Sequence, residues 1–429
     1  MLALEFNRHF VISLITIPIF TAVIGYITNW SGVIMLFNPI RFHGVRLPGL
    51  KFLYPFLPRR LQVIPAVSSA GRFGWQGIVP SRVDKMASIA VDKALLKVGS
   101  ISDFYQQLEP DKIADHLVAT AQGEMRQVVN RIMEREHPQL WHDLPPAAKE
   151  LVHARVEQEL PTIVRRITDE IGEHIDQLID AKLMVINYFE LHPELMNEML
   201  QDVGRKELRF MQNFGFYLGA PLGVILVFVV AAFPDWWVLP LGGVLIGYTV
   251  NYIGITMIFE PVFPRQIGPW SWQGLFLKRQ PEVSDVFARC IADQVINLQN
   301  VGNELLYGSR SDRTRQMLED TIRPAVDQAI GPAQGALRVA IGSREYDRIR
   351  ESMAFEAADF ASAFDDEEFG REQAKKIYDF VASQMRKLAP DDFSELLRSA
   401  IKQDEWLLFL HGAVLGFGAG LLHLAIFGV

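Results

Sequence analysis

Gly25-Tyr26-Ile27-Thr28-Asn29-Trp30-Ser31-Gly32-Val33-Ile34-Met35-Leu36-Phe37-Asn38-Pro39 recurs as Gly247-Tyr248-Thr249-Val250-Asn251-Tyr252-Ile253-Gly254-Ile255-Thr256-Met257-Ile258-Phe259-Glu260-Pro261. Gly, Tyr, Asn, Gly, Met, Phe and Pro stay in register between the two copies. Two further echoes follow in the same order. Trp75-Gln76-Gly77 returns as Trp272-Gln273-Gly274, and Phe216-Tyr217-Leu218-Gly219-Ala220-Pro221-Leu222-Gly223 returns as Phe409-Leu410-His411-Gly412-Ala413-Val414-Leu415-Gly416. Ordered self-similarity of this kind reads as a tandem duplication of the whole chain. The repeated words lie mostly in apolar stretches, so the duplicated object is a membrane unit.

A helix needs about 20 apolar residues to cross a hydrocarbon core about 30 Å thick. Four stretches qualify, residues 10–37, 214–233, 238–259 and 406–427, and none contains Asp, Glu, Lys or Arg. The first is longer than the apolar region of a signal peptide, lacks a small-x-small cleavage site and has a twin in mid-chain, so it is read as a retained span. Charged residues make up 21% of the 429, too many for a membrane bundle alone, and this implies additional soluble parts. The one cysteine, Cys290, excludes an internal disulfide framework and a cysteine-based metal cluster within one chain.

Four spans place residues 38–213 and 260–405 on one side of the membrane, and both ends with the Pro234-Asp235-Trp236-Trp237 turn on the other. Arg41, Arg46, Lys51, Arg59, Arg60, Arg205, Lys206, Arg209, Arg265, Lys278, Arg279 and Lys402 flank the spans on the first side, against Arg8 alone on the second. By the positive-inside rule the soluble parts are cytoplasmic and both ends face outward. Trp236 and Trp237 suit an outer aromatic belt.

From Pro80 onward the pattern is helical. Val156, Leu160, Ile163, Ile167, Ile171, Ile175 and Leu178 are three or four residues apart, a stripe that only a helix keeps on one face. Its mean step approaches an eleven-residue repeat, which favours a long, nearly straight helix. Pro145-Pro146, His192-Pro193, Gly331-Pro332 and Pro390-Asp391 divide each soluble part into several helices. The run Asp365-Asp366-Glu367-Glu368 reads as a solvated helix start, since it lacks the Gly-centred spacing of a calcium loop.

Gly25, Asn29 and Gly32 share one helix face in the first span, as do Gly247, Asn251 and Gly254 in the third. Small residues let backbones approach, and a carboxamide in hydrocarbon seeks a partner, so these faces read as an interhelical seam. A polar path at the repeat interface is the alternative reading, although no intramembrane acid or base accompanies the asparagines. Gly215, Gly219 and Gly223 form a GxxxGxxxG row, matched by Gly412, Gly416 and Gly420, and both rows predict close helix packing. His411 and His423, three turns apart in the last span, are read as packing or interfacial residues.

Residues 38–80 resemble neither span nor soluble domain. Pro39, Pro48, Pro55, Pro58, Pro65 and Pro80 break any long helix, and Leu50, Phe52, Leu53, Tyr54, Phe56, Leu57, Phe73 and Trp75 are too apolar for a free loop. No acid occurs between Glu5 and Asp84, whereas Arg41, Arg46, Lys51, Arg59, Arg60 and Arg72 all fall there. Aromatics among unopposed bases suit the inner headgroup layer, where each base contributes roughly 1 kcal/mol against anionic lipid. A buttress joining span to domain is the alternative reading. The second copy, 260–280, is shorter but keeps Pro264-Arg265, Trp270 and Trp272-Gln273-Gly274.

No P-loop, GxSxG elbow, HExxH, CxxC or dinucleotide fingerprint occurs, so neither a catalytic residue nor a cofactor is expected. Glu134, Glu136, His137 and His142 form a Glu/His-rich patch around Pro138 that reads as surface helix composition rather than a metal site.

The words Gly25 to Trp30 and Met35 to Pro39, followed by Trp75-Gln76-Gly77-Ile78-Val79-Pro80-Ser81-Arg82, resemble the pattern of the YheB/YjiN-like family of bacterial membrane proteins, known as domain of unknown function 445. Gly412 to Gly420 looks like that family's glycine-rich closing helix, and the likeness covers essentially the whole chain. It implies a bacterial plasma membrane and carries no established activity, substrate or catalytic residue. The long insert between Pro39 and Trp75, and His411 where a smaller amide-type residue is expected, depart from the pattern.

These readings combine into an all-α polytopic membrane protein with four transmembrane helices in two tandem repeats. Its expected parts are a tail and first span (1–37), a basic-aromatic connector (38–80), a helical cytoplasmic domain (81–213), the second and third spans (214–259), a second connector (260–280), a second helical domain (281–405) and the last span (406–429). The expected role is a non-enzymatic envelope scaffold or lipid-interacting protein of the bacterial inner membrane. Its expected partners are anionic membrane lipids, with a second copy or a protein partner on the helical domains, and no nucleic acid. A transporter or channel with its path between the repeats is the second expectation.

Overall fold

The structure, a computed structural model, describes residues 8–56, 64–92, 96–136, 138–330, 366–399 and 402–428. Helix takes up 81% of it. Four helices, α1 (Arg8–Phe37), α2 (Arg205–Ala232), α3 (Val238–Phe259) and α4 (Glu405–Phe427), are long and apolar enough to cross a membrane. Their outward faces carry side chains that water would penalise. Ile15, Ile19, Ile225, Leu245, Val414 and Ile426 are each between 57% and 61% exposed, a surface matched to hydrocarbon. The chain divides into two compact units, one made of Met1–Ala94, Ile186–Phe287 and Met385–Val429, the other of Leu95–Val185 and Ala288–Gln384. Segments 81–213 and 281–405, read from sequence as two helical domains, each contribute to both units.

In the first unit α1 packs along α2 and α3 along α4, with α2 against α3 and α1 against α4. Where the pairs meet, Ile17, Leu226, Val227, Val230, Val238 and Leu239 form a buried cluster.

Strand, which the sequence reading did not anticipate, appears in both connectors. β1 (His43–Arg46), β2 (Val67–Ser68) and β3 (Arg72–Trp75) form an antiparallel sheet in the order β1-β3-β2, and β4 (Arg265–Ile267) with β5 (Trp270–Trp272) forms a hairpin. Each connector begins with a cis proline, Asn38-Pro39 or Glu260-Pro261. Each is then tied back by its Trp-Gln-Gly word. Gln76 Nε2 donates to Ile40 O at 2.8 Å and Gly77 N to Pro39 O at 2.9 Å, while Gln273 Nε2 donates to Val262 O and Gly274 N to Pro261 O, both at 3.0 Å. The glycine is required because a Cβ there would press on the chain leaving the span, at Phe37 and Asn38 or at Phe259 and Glu260.

The residues after these words cross between the halves of the chain. Arg82 Nε lies 2.7 Å from Asp404 Oδ2, at the start of α4. Arg279 Nη1 lies 2.5 Å from Glu207 Oε1, in the first turn of α2. Asp404 and Glu207 are both buried. Burial pushes the Asp404 carboxyl up, against the pull of Arg82 and Lys85. Three residues after each arginine and one before each acid, Lys85 bonds Gln403 and Lys206 bonds Glu282. Arg279 and then Lys206 hold the exposed Glu282 carboxyl down at about 2.

The second unit is built of helices, with no strand among its described residues. The apolar stripe lies on one helix, Pro146–Leu178, which accommodates Pro161 internally. Leu160 joins Met125, Val128, Val129, Ile132 and Trp141 in one core, and Ile163 and Ile167 pack on Leu318 and Ile322. Phe104 meets Phe380 edge-on, with ring centroids 5.3 Å apart. Gly331, Pro332 and Asp365 lie outside the described residues.

Candidate intramembrane site and interfacial connector

The asparagines of the repeated words bridge the helices within each pair. Asn29 Nδ2 donates to Met211 O of α2 at 2.5 Å, and Asn251 Nδ2 donates to Leu408 O of α4 at 2.6 Å. Both side chains are 2% exposed, and neither Oδ1 has a hydrogen-bond partner among the described residues. A turn away the backbones touch. A Cβ on Gly25 would collide with Gly215, and one on Gly247 with Gly412. Further along, Gly219 meets Thr21 and Ala22, Gly416 meets Gly243, Gly223 lies on Pro18 and Thr21, and Gly420 lies on Pro240 and Leu239. All six glycines of the two rows therefore sit in these seams.

Gly32 and Gly254 point elsewhere. Gly32 faces Leu408 and His411 of α4, and Gly254 faces Met211 and Phe214 of α2. The same partners show that Gly215, Gly219 and Gly223 occupy the places of Gly412, Gly416 and Gly420. The sequence echo that set Gly219 against Gly412 is therefore one helical turn out of step. A glycine every fourth residue lets either register look right on paper, and only the facing helix distinguishes them.

Between the pairs lies a pocket of about 520 Å³, counted with its open mouth, whose walls come from all four spans. Phe20, Ile24, Ile246, Val250 and Ala419 make it largely apolar; Thr21, Thr28, Asn29 and His423 bring polar groups to it. Thr21 Oγ1 donates to Gly219 O at 2.9 Å, and His423 Nε2 lies 3.1 Å from Thr16 Oγ1. His411 Nε2 lies 3.0 Å from Ser31 Oγ. Both histidines thus join α4 to α1. The missed sequence signal was the set of hydroxyls on α1, which one-dimensional reading leaves unpaired.

The basic connector has its own geometry. In the β1–β3 register Arg46 stands directly opposite Arg72, and Val45 opposite Phe73. A Cβ on Gly71 would touch the backbone of Lys51, so the lysine is attached beside the arginine pair. Like charges facing each other across a strand pair are destabilising unless an anion offsets them. No acid lies between Glu5 and Asp84 in the sequence. Phe52 is 81% and Phe56 85% exposed. In the second connector, Phe263 and Trp270 are exposed beside Arg265. Arg41 is exposed next to β1, and Arg59 and Arg60 lie outside the described residues.

Among the described residues, one group has metal-ligand geometry. Glu170, Glu173 and His174, on one turn of the helix Pro146–Leu178, bring ligand-type atoms within 4.8 Å of one another. Glu134 and His142 form no such group, and His137 lies outside the described residues. Comparison of the chain with protein-family models, with curated proteins and with solved structures finds no match.

Proposed function

We propose that the chain is a multi-pass protein of the bacterial inner membrane, built from two tandem units, that acts without catalysis as a lipid-interacting scaffold. Its basic connectors grip anionic headgroups of the inner leaflet, its soluble helices project into the cytoplasm, and its two ends face outward. The observation that carries this reading is the Arg46–Arg72 pair with Lys51 beside it, three bases in a stretch of sequence that has no acid between Glu5 and Asp84, while Phe52 and Phe56, which follow Lys51 in the chain, stand exposed. Headgroup phosphates would offset the charges, and the aromatic side chains would enter the acyl boundary. The tandem reading is supported by matched contacts in the two halves: asparagine on carbonyl, glycine on glycine, Trp-Gln-Gly on the cis-proline corner.

Arg72→Glu tests the headgroup contact without depending on disruption. It converts a repulsive cross-strand pair into an attractive one, so the connector keeps or gains stability. The full chain reconstituted in liposomes should then lose its preference for anionic over zwitterionic lipid in its annular shell. Undiminished preference in a folded Arg72→Glu protein would remove the headgroup contact.

Transport between the tandem units is the second reading, and the pocket between the helix pairs is the observation that favours it. Both asparagine amide groups are engaged in the seams, which supports packing as their main role.

A further inference from the structure

The register of the three-stranded sheet sorts the side chains of the first connector by face. Residues directly opposite each other in an antiparallel pair point to the same side, and neighbours along a strand point to opposite sides. Arg46 stands opposite Arg72 on one flank of β3, and Ser68 stands opposite Arg72 on the other, so the three form a row across one face. Val45, Phe73 and Val67 form the apolar row on the reverse face. Adjacent strands lie about 4.8 Å apart, which roots the two guanidinium groups at neighbouring points with Arg72 in the middle. Neither arginine has an ion-pair partner among the described residues. Ser68 Oγ accepts from Ala70 N at 3.2 Å, which leaves its O–H to donate.

Two guanidinium forks and a hydroxyl offer donors only, and the arginine pair carries two positive charges. A phosphate diester has one negative charge and two unsubstituted oxygens, so it leaves the pair half offset. A phosphate monoester carries about 1.5 to 2 negative charges at neutral pH and three strong acceptor oxygens, and arginine meets such oxygens in a bidentate way. The monoester is therefore the closer match. We propose that Arg46, Arg72 and Ser68 hold one phosphate monoester headgroup, the chemistry of phosphatidic acid, with the phosphate between the guanidinium groups and one oxygen accepting from Ser68 Oγ. This deepens the headgroup contact proposed above and rests on it. Lys51, attached beside Gly71, adds a third positive charge at the edge of the row. Phe52 and Phe56, exposed and next in the chain, favour an acylated monoester over a soluble one.

The test places the full chain in phosphatidylcholine nanodiscs doped with phosphatidic acid or with its methyl ester, phosphatidylmethanol, a diester with the same acyl chains. The two dopants are set to equal surface charge, and retained lipid is read by native mass spectrometry. Phosphatidic acid should be retained several-fold over the methyl ester. Arg72→Gln should bring that ratio close to one, and Arg46→Gln serves in its place if Arg72→Gln lowers the melting temperature out of range. Equal retention of the two dopants, both above phosphatidylcholine, overturns the monoester and leaves the headgroup contact standing. Retention of neither above phosphatidylcholine overturns both. An unchanged ratio in a folded Arg72→Gln or Arg46→Gln protein overturns the row as the site. Equimolar glycerol phosphate in the surrounding water should not displace phosphatidic acid; displacement would assign the row to a soluble monoester and overturn the lipid.

Discussion

Arg82 reaches Asp404, and Arg279 reaches Glu207, so each half of the chain supplies the base for the acid at the foot of the other half's returning helix. The exchange ties the two helix pairs together at one end of the bundle. It also gives both buried carboxylates a counter-charge that offsets part of the cost of taking them out of water. Removing one member of a buried ion pair costs about 3–5 kcal/mol, whereas replacing both by apolar groups of similar size can be neutral. Arg82→Met should therefore lower the melting temperature strongly, and adding Asp404→Leu should recover most of the loss. Thermal melting of the two single variants and the double variant in nanodiscs measures this. Additive losses would show that the pair is not coupled.

Asn29→Leu and Asn251→Leu should destabilise the bundle by similar amounts, on the order of 1 kcal/mol each, because each removes one side-chain bond to a carbonyl of the partner helix. Melting and expression of the two variants, compared side by side, test the matched seams. A large loss at one position with none at the other would contradict them.

Glycines separate by what faces them. Gly247→Ala sets a methyl group against the backbone of Gly412 and should cost about 1–3 kcal/mol as overpacking. Gly418→Ala, in the same bundle, meets open space and should leave stability unchanged or slightly raised. Detergent-induced unfolding ranks the two variants, and equal effects would mean that the helices do not touch at Gly247.

Glu282 gives a pH signature. Its carboxyl is held down at about 2 by Arg279 and Lys206, against 4.5 for an unperturbed glutamate. The unfolded chain then binds the proton more readily, so the contribution of Glu282 is complete above pH 4.5 and fades as the pH falls toward 2. Glu282→Gln should remove that part of the slope, leaving a flatter acid limb in melting temperature between pH 5 and pH 3, as read by differential scanning fluorimetry at roughly constant ionic strength. An unchanged slope would mean that the Arg279 and Lys206 contacts do not persist in solution.

The four spans and the helix Pro146–Leu178 were legible because each is a local pattern, an uncharged run or a three-to-four-residue apolar spacing. The repeated Gly-Tyr-x-x-Asn-x-x-Gly word drew attention to helix faces, yet it could not show that Asn29 bonds Met211 O and that Gly32 turns to the other helix pair. Those partners are backbone atoms, which leave no trace in side-chain identity. The strands of the first connector escaped notice for a different reason. They are two to four residues long, too short for alternation to register, and two of them carry a glycine where the chains cross. The exchanged Arg82–Asp404 and Arg279–Glu207 pairs depend on how the halves meet, which no window along the sequence contains. The open mouth and orphaned acceptor of the pocket are likewise properties of assembled helices.

The central claim is that the first connector lies in the anionic inner leaflet, and its most direct measurement is the immersion depth of Phe52. A nitroxide attached at Phe52→Cys, in a Cys290→Ser background, reports its surroundings through collision with oxygen, which concentrates in hydrocarbon, and with a nickel chelate, which stays in water. In liposomes containing anionic lipid, oxygen collisions should dominate, and Arg72→Glu should shift the balance toward the chelate. A label that meets the chelate as readily in anionic as in zwitterionic liposomes, with or without Arg72→Glu, would contradict the account.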